Sequence, residues 1–176
     1  MRKGRKLTTV ATAQCGLLTA MMLVLGLIES MLPTASLIPG IKLGLSNSVL
    51  LFALYIIDAR AAFVLMLLKV LLSGVTFAGV NAMMYAFAGG LCSMLGMIAL
   101  KKMGFSIITV SMLGAALHNT GQVLMAVLVL KTPALLTFYL PILLFVGLIC
   151  GAATGVAARA TIAHIRTVSP REVRRV

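Results

Sequence analysis

The feature that most constrains this chain is a succession of apolar runs, most of them about as long as a bilayer is thick. Runs near 12–32, 61–79, 82–100, 107–130 and 134–158 carry almost no charge. A membrane-spanning helix needs about 20 such residues, with a range of about 17–25. A shorter run, 45–57, falls between the first two. The interruptions are chemically alike. Asp58-Ala59-Arg60, Lys101-Lys102-Met103-Gly104 and Lys131-Thr132-Pro133 each join charge to a breaker or a small residue, and a weaker break follows Gly79 near Asn81. The pattern predicts an all-α integral membrane protein: a compact bundle of six transmembrane helices, one domain over 1–176, multi-pass in the cell membrane. Composition agrees, since 61% of the residues are hydrophobic and 10% charged, against roughly 45–50% and 25% in soluble domains.

The first run follows a basic stretch, as in a secretory leader. It is longer than the roughly 7–15 residues of a leader's apolar region, and small residues suited to cleavage come only after Pro33. It is therefore expected to be a retained helix. The formal net charge of +12 sets orientation rather than suggesting nucleic acid. With both termini cytoplasmic, 12 basic residues lie inside and only Lys42 and Lys131 outside, with Lys69 left within a span, which is the bias the positive-inside rule describes. The terminal clusters, including a basic cytoplasmic tail over 159–176, then face anionic membrane lipids. No aromatic residues are interleaved with them, so no nucleic-acid partner is expected.

Several runs have small residues four apart, a spacing that lets helix backbones approach closely. These are Gly16 and Ala20 in the first, Ala86 with Gly90 and Gly89 with Ser93 in the fourth, and Gly147, Gly151 and Gly155 in the sixth. Packing within the bundle and contact with a partner membrane protein are both open readings. Cys15, Cys92 and Cys150 are far apart in apolar runs and read as small core residues.

A charge within a span costs about 2.5–3.5 kcal/mol on insertion scales and normally pairs or faces a cavity. Glu29 and Lys69 are therefore conspicuous. They are read either as a structural pair or as ligand contacts, with Lys42 as another partner for Glu29. Ser73 and Thr76 follow Lys69 on one helix face. Ser111, His118, Gln122 and Met125 share a face of the fifth span, with Asn119 directed elsewhere. The methionines, Met66, Met94 and Met97 among them, are read as adaptable apolar filling.

Glu29, Asp58 and Glu172, the only acidic residues, are far apart. They cannot form the carboxylate cluster that holds magnesium and diphosphate in prenyl transfer. No phosphate-binding loop, nucleophile elbow or metal-spaced His/Cys cluster occurs. No catalytic residue, metal or cofactor is expected, and an autonomous enzyme is not the expected function.

Glu29, the string Pro39-Gly40-Ile41-Lys42-Leu43-Gly44-Leu45-Ser46-Asn47, and His118-Asn119-Thr120-Gly121-Gln122 together resemble one family over nearly the whole chain. It is the Gx transporter or heptaprenyl diphosphate synthase component I family, which in turn is similar to the substrate-capture (S) components of energy-coupling factor (ECF) transporters. The resemblance implies an outward-facing pocket beneath the first outer loop that captures a small molecule. It also implies a transmembrane coupling subunit driven by two cytoplasmic ATPases, touched through Gly16 and Ala20. On this reading Lys42 and Asn47 shape an outer lid, and Glu29, Lys69, His118, Asn119 and Gln122 surround the ligand. The older family label implies instead a non-catalytic membrane accessory subunit in prenyl-diphosphate synthesis.

Overall fold

The computed structural model describes residues 9–31 and 44–168. Lys42 and the Pro39-Gly40 turn lie outside the described residues. Among the described residues there are six α-helices and no strand: α1 (Thr9–Met31), α2 (Leu45–Ile56), α3 (Ala59–Ser73), α4 (Val80–Lys102), α5 (Ile107–Leu130) and α6 (Leu140–Val168). Counting the π-helical turns that extend two of them, five are long and apolar enough to cross a membrane. The exception is α2, whose 12 residues reach about 18 Å at about 1.5 Å per residue, well short of a hydrocarbon core of roughly 30 Å.

The ends of α2 are built accordingly. Gly44 precedes it at φ 79°, a left-handed conformation that costs glycine little, and its carbonyl accepts the amides of Asn47 and Ser48. At the other end Lys101, from the last turn of α4, donates its ammonium to the Leu54 carbonyl. The same ammonium lies 4.9 Å from the centre of the Tyr55 ring. A cation here answers the partial negative charge of a helix C-terminus. Asp58 then starts α3 by accepting the Ala61 amide at 2.6 Å.

Two helices depart from the expected simple spans. The third ends in a π-helical turn, Gly74–Ala78, before Gly79 reverses the chain at φ 83°. A second π-helical turn, Leu135–Tyr139, leads into α6, which runs to Val168. The helix therefore continues about three turns beyond the expected boundary at residue 158. Arg159 and His164 stand on it.

The outside of the bundle is apolar: Val75 is 78% exposed, Leu128 73% and Phe145 68%. A surface of this kind suits lipid, and the chain is a multi-pass membrane protein. The packing inside is uneven. At the α4–α5 contact a Cβ on Gly121 would lie 2.7 Å from the Ala88 carbonyl oxygen, and one on Gly89 would lie 2.7 Å from that of His118. At the α5–α6 contact a Cβ on Gly151 would lie 2.8 Å from the Met112 Cα. Helices α4, α5 and α6 thus form a slab whose backbones nearly touch. Against it, α1, α2 and α3 pack through bulky buried side chains, including Met22, Leu50, Leu54, Leu65 and Met66. Gly16 is different, with nothing within 4 Å of an added Cβ. Both it and Ala20 are exposed on the outward face of α1.

Candidate functional site

A cavity of about 250 Å³ lies between the slab and the first three helices. Nearest the end where α1 meets α2 are Glu29, Ser30, Gly44, Ser46 and Asn47, with Lys69 and Ser73 of α3 beside them. His118 and Asn119 of α5 come next. Met22, Met66, Met94 and Met97 form apolar walls, and Ser93, Ser111 and Thr154 supply hydroxyls, Thr154 beside Gly44 with its Cγ2 3.9 Å from where a Cβ on Gly44 would be.

Local chemistry accounts for the charges. Glu29 is 6% exposed, and its Oε1 accepts the Gly44 amide at 2.5 Å. This puts the carboxylate at the N-terminus of α2, where amides are unpaired and the helix dipole favours an anion. Lys69 Nζ donates to Asn47 Oδ1 at 2.6 Å, linking α3 to the first turn of α2. Carboxylate and ammonium are therefore held by adjacent parts of one short helix. That is the arrangement expected of intramembrane charges facing a polar cavity.

Thr154 donates to helix carbonyls, Cys150 at 2.9 Å and Gly151 at 3.2 Å. It also lies 3.2 Å from Ser111 Oγ, a contact in which either hydroxyl can donate. Ser93 is 6% exposed and Ser46 4%, and both line the cavity. Ser30, Ser48 and Ser73 donate to a preceding helix carbonyl, and among the described residues the buried side-chain polar atom without a partner is Tyr55 Oη.

Of the residues expected at the site, Glu29, Asn47, Lys69, His118 and Asn119 line the cavity. Asn119, expected to point elsewhere, also donates to the Leu143 carbonyl of α6 at 2.7 Å. Gln122 is not among the lining residues. Its Cγ would lie 2.6 Å from a Cβ on Gly89, so it packs in the α4–α5 seam. In the sequence Ser93 reads only as a small packing residue, and Thr154 carries no expected role. Helical spacing would have found both, because Ser93 follows Ala86 and Gly90, and Thr154 follows Gly147 and Gly151, on the cavity face.

A second concavity, about 520 Å³ and strongly apolar, runs between α1, α2 and α6 and is lined by residues such as Leu17, Phe52 and Ala157. Among the described residues, no three His, Cys, Asp or Glu side chains come together as metal ligands.

A family model described as heptaprenyl diphosphate synthase component I matches residues 18–161, a range containing every residue of the polar cavity. No curated protein and no solved structure matches the chain.

Proposed function

The chain belongs to the heptaprenyl diphosphate synthase component I family; from that membership and the polar cavity we propose a membrane-embedded substrate-binding component of an ECF-type importer. One observation carries this reading: a carboxylate, an ammonium and several hydroxyls line one cavity inside an apolar bundle. Desolvating such groups is costly unless something polar occupies the space between them. With both termini cytoplasmic, the Glu29–Asn47 end faces outward. A molecule enters there, and Lys42 and Asn47 form the lid region.

The packing suits such a role. The α4–α6 slab holds His118 and Asn119 on a stiff wall, while Glu29, Asn47 and Lys69 belong to the less tightly interlocked half. Release to the inside requires energy, and the sequence carries no phosphate-binding loop to hold a nucleotide, so a coupling subunit with ATPases is its partner. The outward face of α1 at Gly16 and Ala20 is the proposed contact.

The family description favours a second reading, a non-catalytic accessory subunit of a prenyl synthase. It is the weaker one, because a heptaprenyl chain is several times larger than a 250 Å³ cavity and would lay hydrocarbon against its polar lining. Affinity purification of the full chain from native membranes in lipid discs separates the two. Importer function predicts co-elution of a coupling subunit and ATPases. Co-elution of a prenyl synthase subunit without them would replace it with the second reading.

A further inference from the structure

The apolar groove between α1, α2 and α6 shares no lining residue with the polar cavity, and substrate binding makes no use of it. Its floor is Leu18, Val49 and Ala158, all buried. One rim is Leu17, 65% exposed, with Met21, and the other is Ala157 with Thr161. Ala157, Ala158 and Ser48 are too short to fill the space between the three helices. An unfilled groove forfeits dispersion contacts along its whole lining, and in a bilayer the material at hand to restore them is lipid.

Its dimensions match one lipid chain. From Gln14 to Leu25 the groove follows α1 for about 17 Å at about 1.5 Å per residue, close to half of a hydrocarbon core of roughly 30 Å, which is the depth of one leaflet. Its volume of about 520 Å³ equals roughly seventeen groups of about 30 Å³ each, and a fatty-acyl chain has a similar number of methylenes. A partner's membrane-spanning helix fits neither measure, since it crosses the whole core and is about 10–12 Å wide. The face of α1 suited to a helix is the neighbouring one, because helical spacing sets Gly16 and Ala20 on the far side of Leu17.

The two ends of the groove differ in charge. Leu25 closes the inner end. The opposite end holds Gln14, exposed on α1, and Thr161 on α6. Three residues on, His164 is exposed on the side of α6 that Ala157 shares. Arg60, also exposed, follows Ile57, the last groove residue from the α2 side, by three positions, so their Cα atoms are within about 11 Å. The sequence before α1 adds Arg2, Lys3, Arg5 and Lys6. Against these, the acidic residue at this end among the described residues is Asp58, which is engaged by the Ala61 amide. The Thr161 hydroxyl donates to the Ala157 carbonyl at 2.9 Å, which leaves Gln14, His164 and Arg60 as donors to an anion.

We propose that the groove binds one anionic phospholipid from the leaflet on the side of the termini. One acyl chain lies along Leu18, Val49 and Ala158, and the phosphate sits among Gln14, His164 and Arg60. The apolar lining accepts a chain from any lipid, and the basic end selects the charged headgroup. This site is separate from the polar cavity and holds whether or not that cavity captures a substrate.

The test titrates the full-length protein, stripped of lipid in a neutral detergent, with phosphatidylglycerol and with phosphatidylcholine of identical chains, and counts bound lipid by native mass spectrometry. The wild type is expected to retain one phosphatidylglycerol in preference to phosphatidylcholine, with the preference shrinking as salt rises. Ala157→Phe fills the groove from its exposed rim and should lose that lipid. Val156→Phe adds the same bulk at a site 55% exposed outside the groove and should keep it. Arg60→Gln and Gln14→Leu should each weaken phosphatidylglycerol binding about fivefold or more and leave phosphatidylcholine unchanged. These two surface variants decide the matter if Ala157→Phe fails to fold. Equal retention of the two lipids, a lipid kept by Ala157→Phe as by Val156→Phe, or undiminished binding in both surface variants would overturn the proposal. A photoreactive side chain at position 161 should join a lipid in native membranes, and joining a polypeptide instead would overturn it in favour of a protein partner.

Discussion

Gly121→Ala probes the contact on which the rigid side of the cavity depends. The added methyl would sit 2.7 Å from the Ala88 carbonyl oxygen, 3.0 Å from Cys92 Sγ and 3.0 Å from the Gly89 Cα. Two of these neighbours are backbone and cannot rotate aside, so α4 and α5 must separate by about half an ångström. A gap of that size forfeits about a quarter of the dispersion energy for each contact across it, and overpacking of this kind typically costs about 1–3 kcal/mol. Alanine's better helix propensity returns up to about 1 kcal/mol, leaving a net loss of up to about 2 kcal/mol, with about 1 kcal/mol expected because the closest contacts are to backbone. The control is Gly16→Ala, where nothing lies within 4 Å and only the propensity gain applies. Reversible unfolding of both variants in mixed micelles, with sodium dodecyl sulfate as denaturant, gives the comparison. Gly121→Ala should unfold at lower denaturant than the wild type, and Gly16→Ala at the same or higher. A Gly121→Ala protein as stable as the wild type would refute the close-packed slab.

Lys101→Met removes the ammonium from the Leu54 carbonyl and the Tyr55 ring. It should cost at most about 1.5–3 kcal/mol in the same unfolding assay, with Lys101→Arg recovering part of the loss. Asn119→Leu deletes the bond to the Leu143 carbonyl and should cost about 1–2 kcal/mol, again read by unfolding. Orientation is checked with single cysteines in a cysteine-free background. At position 131 a membrane-impermeant maleimide should label intact cells, and at position 58 only permeabilised ones; the opposite pattern would invert the topology.

The helices were legible because lipid imposes one requirement on every span, a long uncharged run, and the breaks at Asp58, Lys101–Gly104 and Lys131–Pro133 carry charge or turn chemistry. Glu29 and Lys69 were legible for the converse reason, since charges inside such runs need partners. Which partners they take was not. Their bonds to Gly44 and Asn47 depend on where the short α2 enters the bundle, a tertiary fact. Gln122 shares a helix face with His118, yet a helix face can cross from cavity to seam within one turn. The absence of a side chain at Gly89 draws Gln122 into the seam. The π-helical turns have no composition signal, and α6 continues past residue 158 because Ala157 to Ala163 form helix well even as charge enters the sequence.

The central claim is that the Glu29–Lys69 cavity is where a small molecule is captured. Ala86 lines it, and Ala86→Phe fills a large part of its volume without adding charge. Wild type and variant purified side by side in native lipids, then denatured and extracted, can be compared by quantitative mass spectrometry of the released small molecules. A near-stoichiometric polar compound from the wild type, and its loss from a variant of equal helix content, is the predicted result. Equal recovery from the two proteins, or none from the wild type, would contradict the account.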